Sequence, residues 1–294
     1  MEFTVKTAAK LNLSLDITGR LPDGFHEIST VMQTVGVYDY LTMTQIEEGI
    51  ELSGNLPYLP YNAKNLVYKA AAAFYARIGQ KPGLRVRIQK HIPVQAGLGG
   101  GSGNAAGVLA GLNAMYGSPL SEEELSALAG TLGADVPFFL TGGTVLCRGR
   151  GEQMEKLPDL PDCAFVICKG GLGISTKAAY AALDAAPFPE PMGDLLIAAD
   201  RAGDIKEIAA SLGNAFWSAA KELCPPLVPM ERNLRRYCDA VMLTGSGSAM
   251  YALFPDVASA KPCFERLRKK YGFVYLARPV GAGCQIFQAK EEIK

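Results

Sequence analysis

The chain has 294 residues, 49% apolar and 20% charged, with Lys and Arg balanced against Asp and Glu at 29 each. That length exceeds one typical domain and predicts two sharing an interface. Zero net charge argues against a general nucleic-acid or membrane-surface binder, no apolar run reaches the length of a membrane span, and "MEFTVKTAAK" lacks the apolar core of a secretory signal.

The first predicted strand alternates. Phe3, Val5 and Thr7 share one face, and further on Leu11, Leu13, Leu15 and Ile17 oppose Lys10, Asn12, Ser14 and Asp16. This predicts a half-buried strand with Lys10 and Asn12 on its polar face. Pro22-Asp23-Gly24 then marks a turn. In "GLRVRIQKHIPV", Leu84, Val86 and Ile88 oppose Arg85, Arg87 and Gln89, as in an antiparallel or mixed sheet covered on one side.

"PVQAGLGGGSGNAAG", residues 93–107, packs six glycines ahead of a predicted helix. Val108, Leu109, Leu112, Met115 and Tyr116 give that helix its spacing, and Gly117 its stop. Bare backbone before a helix N-terminus suits an anion, because main-chain N–H groups can approach it closely. The plainer role is a tight turn packed on a neighbour. No lysine follows as a Walker A loop requires, and Ser102 stands where a dinucleotide fingerprint from Gly97 needs glycine. The protein-kinase motifs H-R-D and D-F-G are missing as well.

"SEEELSALAGTLG" predicts a helix opened by a capping box, Ser121 with Glu124, and closed at Gly133. Asp135 follows in "GADVPFF", where position alone makes it a helix cap. Past "LPDLPD" the pattern restarts with a short apolar strand, "CAFVICK", so domains 1–157 and 158–294 are expected. "STKAAYAALDAA" predicts a helix, and "VMLTGSGSAMYALF" a strand–turn–strand with Ser246 in the turn. The seven cysteines form no C-x-x-C pair, and with only His26 and His91 a Cys/His zinc site lacks ligands. Reduced thiols in a cytoplasmic protein are expected. The fold class expected is α+β, two domains of mixed or antiparallel sheets covered by helices.

The glycine stretch resembles the phosphate loop of the GHMP kinases, the superfamily of galactokinase, homoserine kinase, mevalonate kinase and phosphomevalonate kinase, which reads P-x-x-x-G-L-G-x-S-S-A. "AKLNLSLDITGRLPDGFHEI" resembles the N-terminal signature of one branch, the kinases of 4-diphosphocytidyl-2-C-methyl-D-erythritol in the non-mevalonate isoprenoid pathway. "GADVPFF" with "GRGE", "STKAAY" and "LTGSGSAMYALF" follow in that branch's order.

The resemblance implies phosphoryl transfer from ATP, with Mg²⁺, to the 2-hydroxyl of that alcohol by a monomer or homodimer. Its partners are then the cytidine diphosphate derivative and ATP, with no nucleic acid and no membrane. It implies that Pro93, Val94, Gln95, Ala96, Gly97, Leu98, Gly99, Gly100, Gly101, Ser102 and Gly103 wrap the ATP phosphates. Lys10 and Asp135 become the catalytic pair, Asp135 taking the hydroxyl proton and Lys10 keeping that carboxylate ionised and neutralising phosphoryl oxygens. Asn12, Phe25, His26, Lys90 and Thr176 become substrate residues. His26 bonds a cytosine edge, Phe25 covers the base, Lys90 lies on the nucleotide side, and Asn12 and Thr176 take substrate-hydroxyl and phosphate-side positions. No residue is assigned as a metal ligand. Gly103 departs from the second serine of the loop, removing a hydroxyl that could meet phosphate or Mg²⁺, and Phe25 replaces the commoner tyrosine. A homoserine- or mevalonate-type kinase competes, but has no need of "DGFHEI". A nucleotide-binding regulator without catalysis has no need of both Lys10 and Asp135.

Overall fold

The computed structural model describes residues 1–22, 24–185 and 188–288. Asp23 of the expected turn and Ala186 at the end of "STKAAYAALDAA" lie outside the described residues. Two long strands, β1 (Glu2–Arg20) and β2 (His26–Gln45), form one antiparallel hairpin running from Glu2 opposite Thr44 to Arg20 opposite His26. Between them Leu21 N donates to the Phe25 carbonyl at 2.7 Å.

Next come β3 (Gly49–Gly54), α1 (Leu66–Ile78) and β4 (Gly83–Gln89). β4 joins β2 antiparallel and β3 joins β4 parallel, which makes the sheet mixed. The alternation read in "GLRVRIQ" holds, with Leu84, Val86 and Ile88 buried and the arginines exposed. α2 (Gly100–Met115) follows the glycine loop and packs against the hairpin. Each Val or Leu it buries contributes about 1.5–3 kcal/mol relative to exposure. α3 (Glu122–Gly130) carries the expected capping box. It ends at Gly130, not Gly133: the Thr131 hydroxyl donates to the Leu128 carbonyl, and the Gly133 carbonyl instead accepts from Val136 N. α4 (Val136–Thr141), β5 (Thr144–Gly149) and β6 (Gln153–Lys156) complete this half, with β5 paired to residues 28–33 of β2.

The second half runs β7 (Ala164–Lys169), α5 (Thr176–Leu183), α6 (Gly193–Ala202), α7 (Ile205–Ala210), β8 (Gly213–Asn214), α8 (Trp217–Leu223) and α9 (Leu227–Leu234). It closes with β9 (Val241–Leu243), β10 (Met250–Phe254), α10 (Val257–Leu267), β11 (Phe273–Ala277) and β12 (Cys284–Gln288). A wholly antiparallel sheet is ordered β11-β7-β10-β9. β8 and β12 instead join β1, parallel and antiparallel. Among the described residues no helix is long and apolar enough to cross a membrane.

β1 corrects one expectation. Its polar face is as buried as its apolar one: Lys10, Asn12, Ser14 and Asp16 are 4, 2, 1 and 6% exposed. The cover comes from residues far along the chain, and it forms the walls of the site.

Candidate active site

Asn12 shows how that cover is built. Its backbone N–H donates to Thr244 Oγ1 at 3.1 Å, just beyond β9. Its side-chain Nδ2 donates to Thr30 Oγ1 of β2 at 2.8 Å, and its Oδ1 accepts from Lys10 Nζ. Asp16 accepts from the backbone N–H groups of Met192 and Gly193 at the start of α6. These bonds let a polar strand face go under without orphaned groups.

Lys10 Nζ lies 3.8 Å from Asp135 Oδ2. Asp135 occupies the N-cap position of α4, yet its side chain makes no capping bond and is 42% exposed. The carboxylate is thus turned to Lys10 and the open cleft. Burial pushes the Lys10 ammonium below the usual lysine range, opposed by the charge of Asp135 and then by Cys147. The Cys147 thiol of β5, buried beside the pair, is pushed up to about 12 by burial and then by Asp135.

The glycine loop meets this pair directly. Gly99 is the N-cap of α2 at φ 71, and a Cβ there would run into the Phe139 ring and come within 2.9 Å of Lys10 Cγ. Glycine at 99 is what lets the loop close onto Lys10. At Gly101 a Cβ would meet nothing within 4 Å. At Gly103 it would face the Ala8 carbonyl at 3.3 Å and the Phe139 ring at 3.4 Å. The serine hydroxyl missing at 103 would therefore have pointed into the core.

Two cavities adjoin the loop. A cleft of about 1210 Å³ is lined by Lys10, Asn12, Phe25, His26, Asp135 and Thr176. A groove of about 370 Å³ is lined by every loop residue from 93 to 102, and not by Gly103. Gly97, Gly99 and Ser102 line both, so the cavities meet at the loop.

Lys90 belongs to the groove and is not among the residues lining the cleft with the other substrate residues. Its ammonium pairs with the fully buried Asp39. Asp39 also accepts from the His91 and Ile92 backbone N–H groups at 2.7 and 2.9 Å. Asn55 holds the Lys90 backbone through both its N–H and its carbonyl. With its amide turned to satisfy its neighbours, Asn104 of α2 donates to Asp39 and to the Gly100 carbonyl and accepts from Lys90 Nζ at 3.2 Å. The network ties β2, the strand end before the loop and the first turn of α2 together. Sequence reasoning missed Asp39, Asn104 and Thr244. A lone acid inside the β-branched run "TVGVYDYLTM" was the available signal for Asp39.

At the far end of the cleft His26 Nε2 bonds Asp184 Oδ1 at 2.6 Å, and Arg20 pairs with the same oxygen. The imidazole stacks on Tyr180 with centroids 4.5 Å apart. Phe25 is 59% exposed, with the Arg150 guanidinium 4.5 Å from its ring centre. Thr176 Oγ1 lies 3.2 Å from Ser246 Oγ, so Ser246 both sits in the expected turn and lines the cleft.

Residues 65–143 match the family model for the GHMP kinases N terminal domain, and residues 195–272 that for GHMP kinases C terminal. A 4-diphosphocytidyl-2-C-methyl-D-erythritol kinase of Clostridium kluyveri is 36% identical, with 94% of this chain and 99% of that one covered. The protein of the same name from Caldicellulosiruptor saccharolyticus is 40% identical, over 90% and 92%. A crystal structure of 4-(cytidine 5'-diphospho)-2C-methyl-D-erythritol kinase superposes with a TM-score of 0.80 at 33% identity, covering 96% of this chain and 100% of that one.

Proposed function

From the premise that the chain belongs to the 4-diphosphocytidyl-2-C-methyl-D-erythritol kinase family of the GHMP kinases, we propose how its residues divide the work of phosphoryl transfer. The enzyme transfers a phosphoryl group from ATP to the 2-hydroxyl of 4-diphosphocytidyl-2-C-methyl-D-erythritol, in the isoprenoid precursor pathway. The observation that carries the division is the Lys10–Asp135 pair beside the seam where cleft and groove meet.

ATP lies in the groove, its phosphates against the loop N–H groups and the N-terminus of α2. The acceptor alcohol lies in the cleft. Asp135 takes the proton of the 2-hydroxyl as its oxygen bonds to the γ-phosphorus, and the bond to the β-phosphate oxygen breaks to release ADP. Lys10, held by Asn12, neutralises charge on the transferred oxygens. Lys90, paired with Asp39, holds the strand end beneath the loop. Thr176 and Ser246 offer hydroxyls to the diphosphate of the acceptor, and Phe25 and His26 receive its cytosine. Mg²⁺ would supply further neutralisation of the phosphates, and Ser102, which lines both cavities, is the residue that would hold it. Every side chain named comes from one chain, so the reading holds for a monomer and for a homodimer. Seven free cysteines support a cytoplasmic location.

The test is ADP release with ATP, Mg²⁺ and the alcohol carried with or without its cytidine. Rapid release only with the cytidine form is expected. Equal rates with both would overturn the cytidine assignment.

A further inference from the structure

The carboxylate behind His26 bears on which base the cleft accepts. His26 lines the cleft with a side chain only 9% exposed. One nitrogen, Nε2, is engaged by Asp184 at 2.6 Å, and no described residue bonds the other. Asp184 is itself held by Arg20, and Tyr180 packs on the imidazole face. The ring is therefore fixed in both position and plane.

An ionised carboxylate only accepts hydrogen bonds. The hydrogen bond from His26, then Arg20, holds the Asp184 carboxyl below the usual carboxylate range, so it is ionised at neutral pH. The imidazole nitrogen facing it must then carry the proton. In the neutral ring the remaining nitrogen, Nδ1, is left with a lone pair and no hydrogen.

We propose that Asp184, anchored by Arg20, is a specificity-determining residue that holds His26 in the tautomer whose free nitrogen accepts a hydrogen bond, so that the cleft selects a base bearing an exocyclic amino group over one bearing a carbonyl there. Cytosine offers an amino donor at that edge, whereas uracil offers a carbonyl oxygen. Against uracil two lone pairs would face each other, and a site built around a donor rejects the analogue lacking it. The inference rests on the cytidine reading above and adds the group that enforces it. Asp184 acts through His26 and touches no reacting atom.

The experiment compares the cytidine substrate with the same methylerythritol diphosphate carrying uridine, in the unmodified enzyme, Asp184→Ala and Asp184→Asn. The unmodified enzyme is expected to prefer cytidine in kcat/KM by at least about tenfold, one hydrogen bond's worth. Asp184→Ala should bring that ratio close to one, mainly by raising KM for the cytidine substrate, with KM for ATP and thermal stability unchanged. The chain has only two histidines, so long-range ¹H–¹⁵N NMR can read the His26 tautomer directly. An Nε2–H form is expected in the unmodified protein and a mixture in Asp184→Ala. If the unmodified enzyme accepts both bases equally, the cytidine reading itself fails. If it discriminates but Asp184→Ala and Asp184→Asn discriminate equally well, or NMR shows the Nδ1–H form, the role of Asp184 is overturned while the cytidine reading stands.

Discussion

Two lysine–aspartate pairs flank the glycine loop, and they differ in almost everything but composition. Both ammonium groups are about equally hidden, each side chain 5% exposed. Asp39 is fully buried and accepts from Lys90 and two backbone N–H groups. Asp135 is 42% exposed, stands 3.8 Å from Lys10 and accepts nothing from the helix it heads. A carboxylate with every lone pair engaged fixes geometry. One that keeps an open side has capacity left for a substrate proton. Residue type is the same in both pairs, and unspent hydrogen-bonding capacity separates them.

The largest effect should come from Asp135→Asn, which keeps shape and removes the base. Turnover is expected to fall by about 10²–10⁴ in an ADP-release assay, with the thermal midpoint unchanged. Near-normal turnover would erase the contrast between the pairs. Asp39→Asn should do the reverse. It strands a buried ammonium and is expected to cost about 3–5 kcal/mol in denaturant unfolding, with turnover tracking the folded fraction. A stable Asp39→Asn that lost turnover would make both pairs catalytic and break the comparison.

A third carboxylate sharpens it. Asp200 of α6 is 2% exposed, and neither oxygen has a partner among the described residues. Burial raises its pKa from 3.8 to about 6, opposed by Arg201 and helped by Asp159. The native state thus binds this proton more tightly than the unfolded chain, so ionisation removes stability as pH rises from about 4 to about 6. Asp200→Asn should stabilise the protein by roughly 1–3 kcal/mol at neutral pH, and the gain should vanish below about pH 4. Unfolding of both proteins across that range checks it, and a gain that persists in acid would point to packing instead of charge.

Local signals were legible and distant ones were not. The alternation of β1 and β4, the glycine loop and the capping box of α3 each rest on neighbours a few positions away. The burial of Lys10 and Asn12 rests on Thr244 and Asp135, which no period in "KLNLSLDI" reports. β2 went unassigned because Gly36 and Asp39 interrupt its β-branched run, and only the structure shows that Asp39 is satisfied there. Motif matching placed ten loop residues on the groove. The eleventh, Gly103, requires knowing which way a side chain would leave α2. Lys90 is expected on the nucleotide side from its motif, but nothing local reports its partner, which sits 51 positions earlier, on another strand.

The pairing of β12 with β1 has a consequence for biosynthesis. Phe3 leaves the ribosome long before its partner Gln288. Thr244, which steadies Asn12 beside Lys10, is also made late. Closing so long a loop is slow relative to local folding. The strand that carries Lys10 therefore pairs early with β2, while its other edge waits for β12 and its site for Thr244. A truncation that removed β12 would damage the sheet at the strand that begins at residue 2.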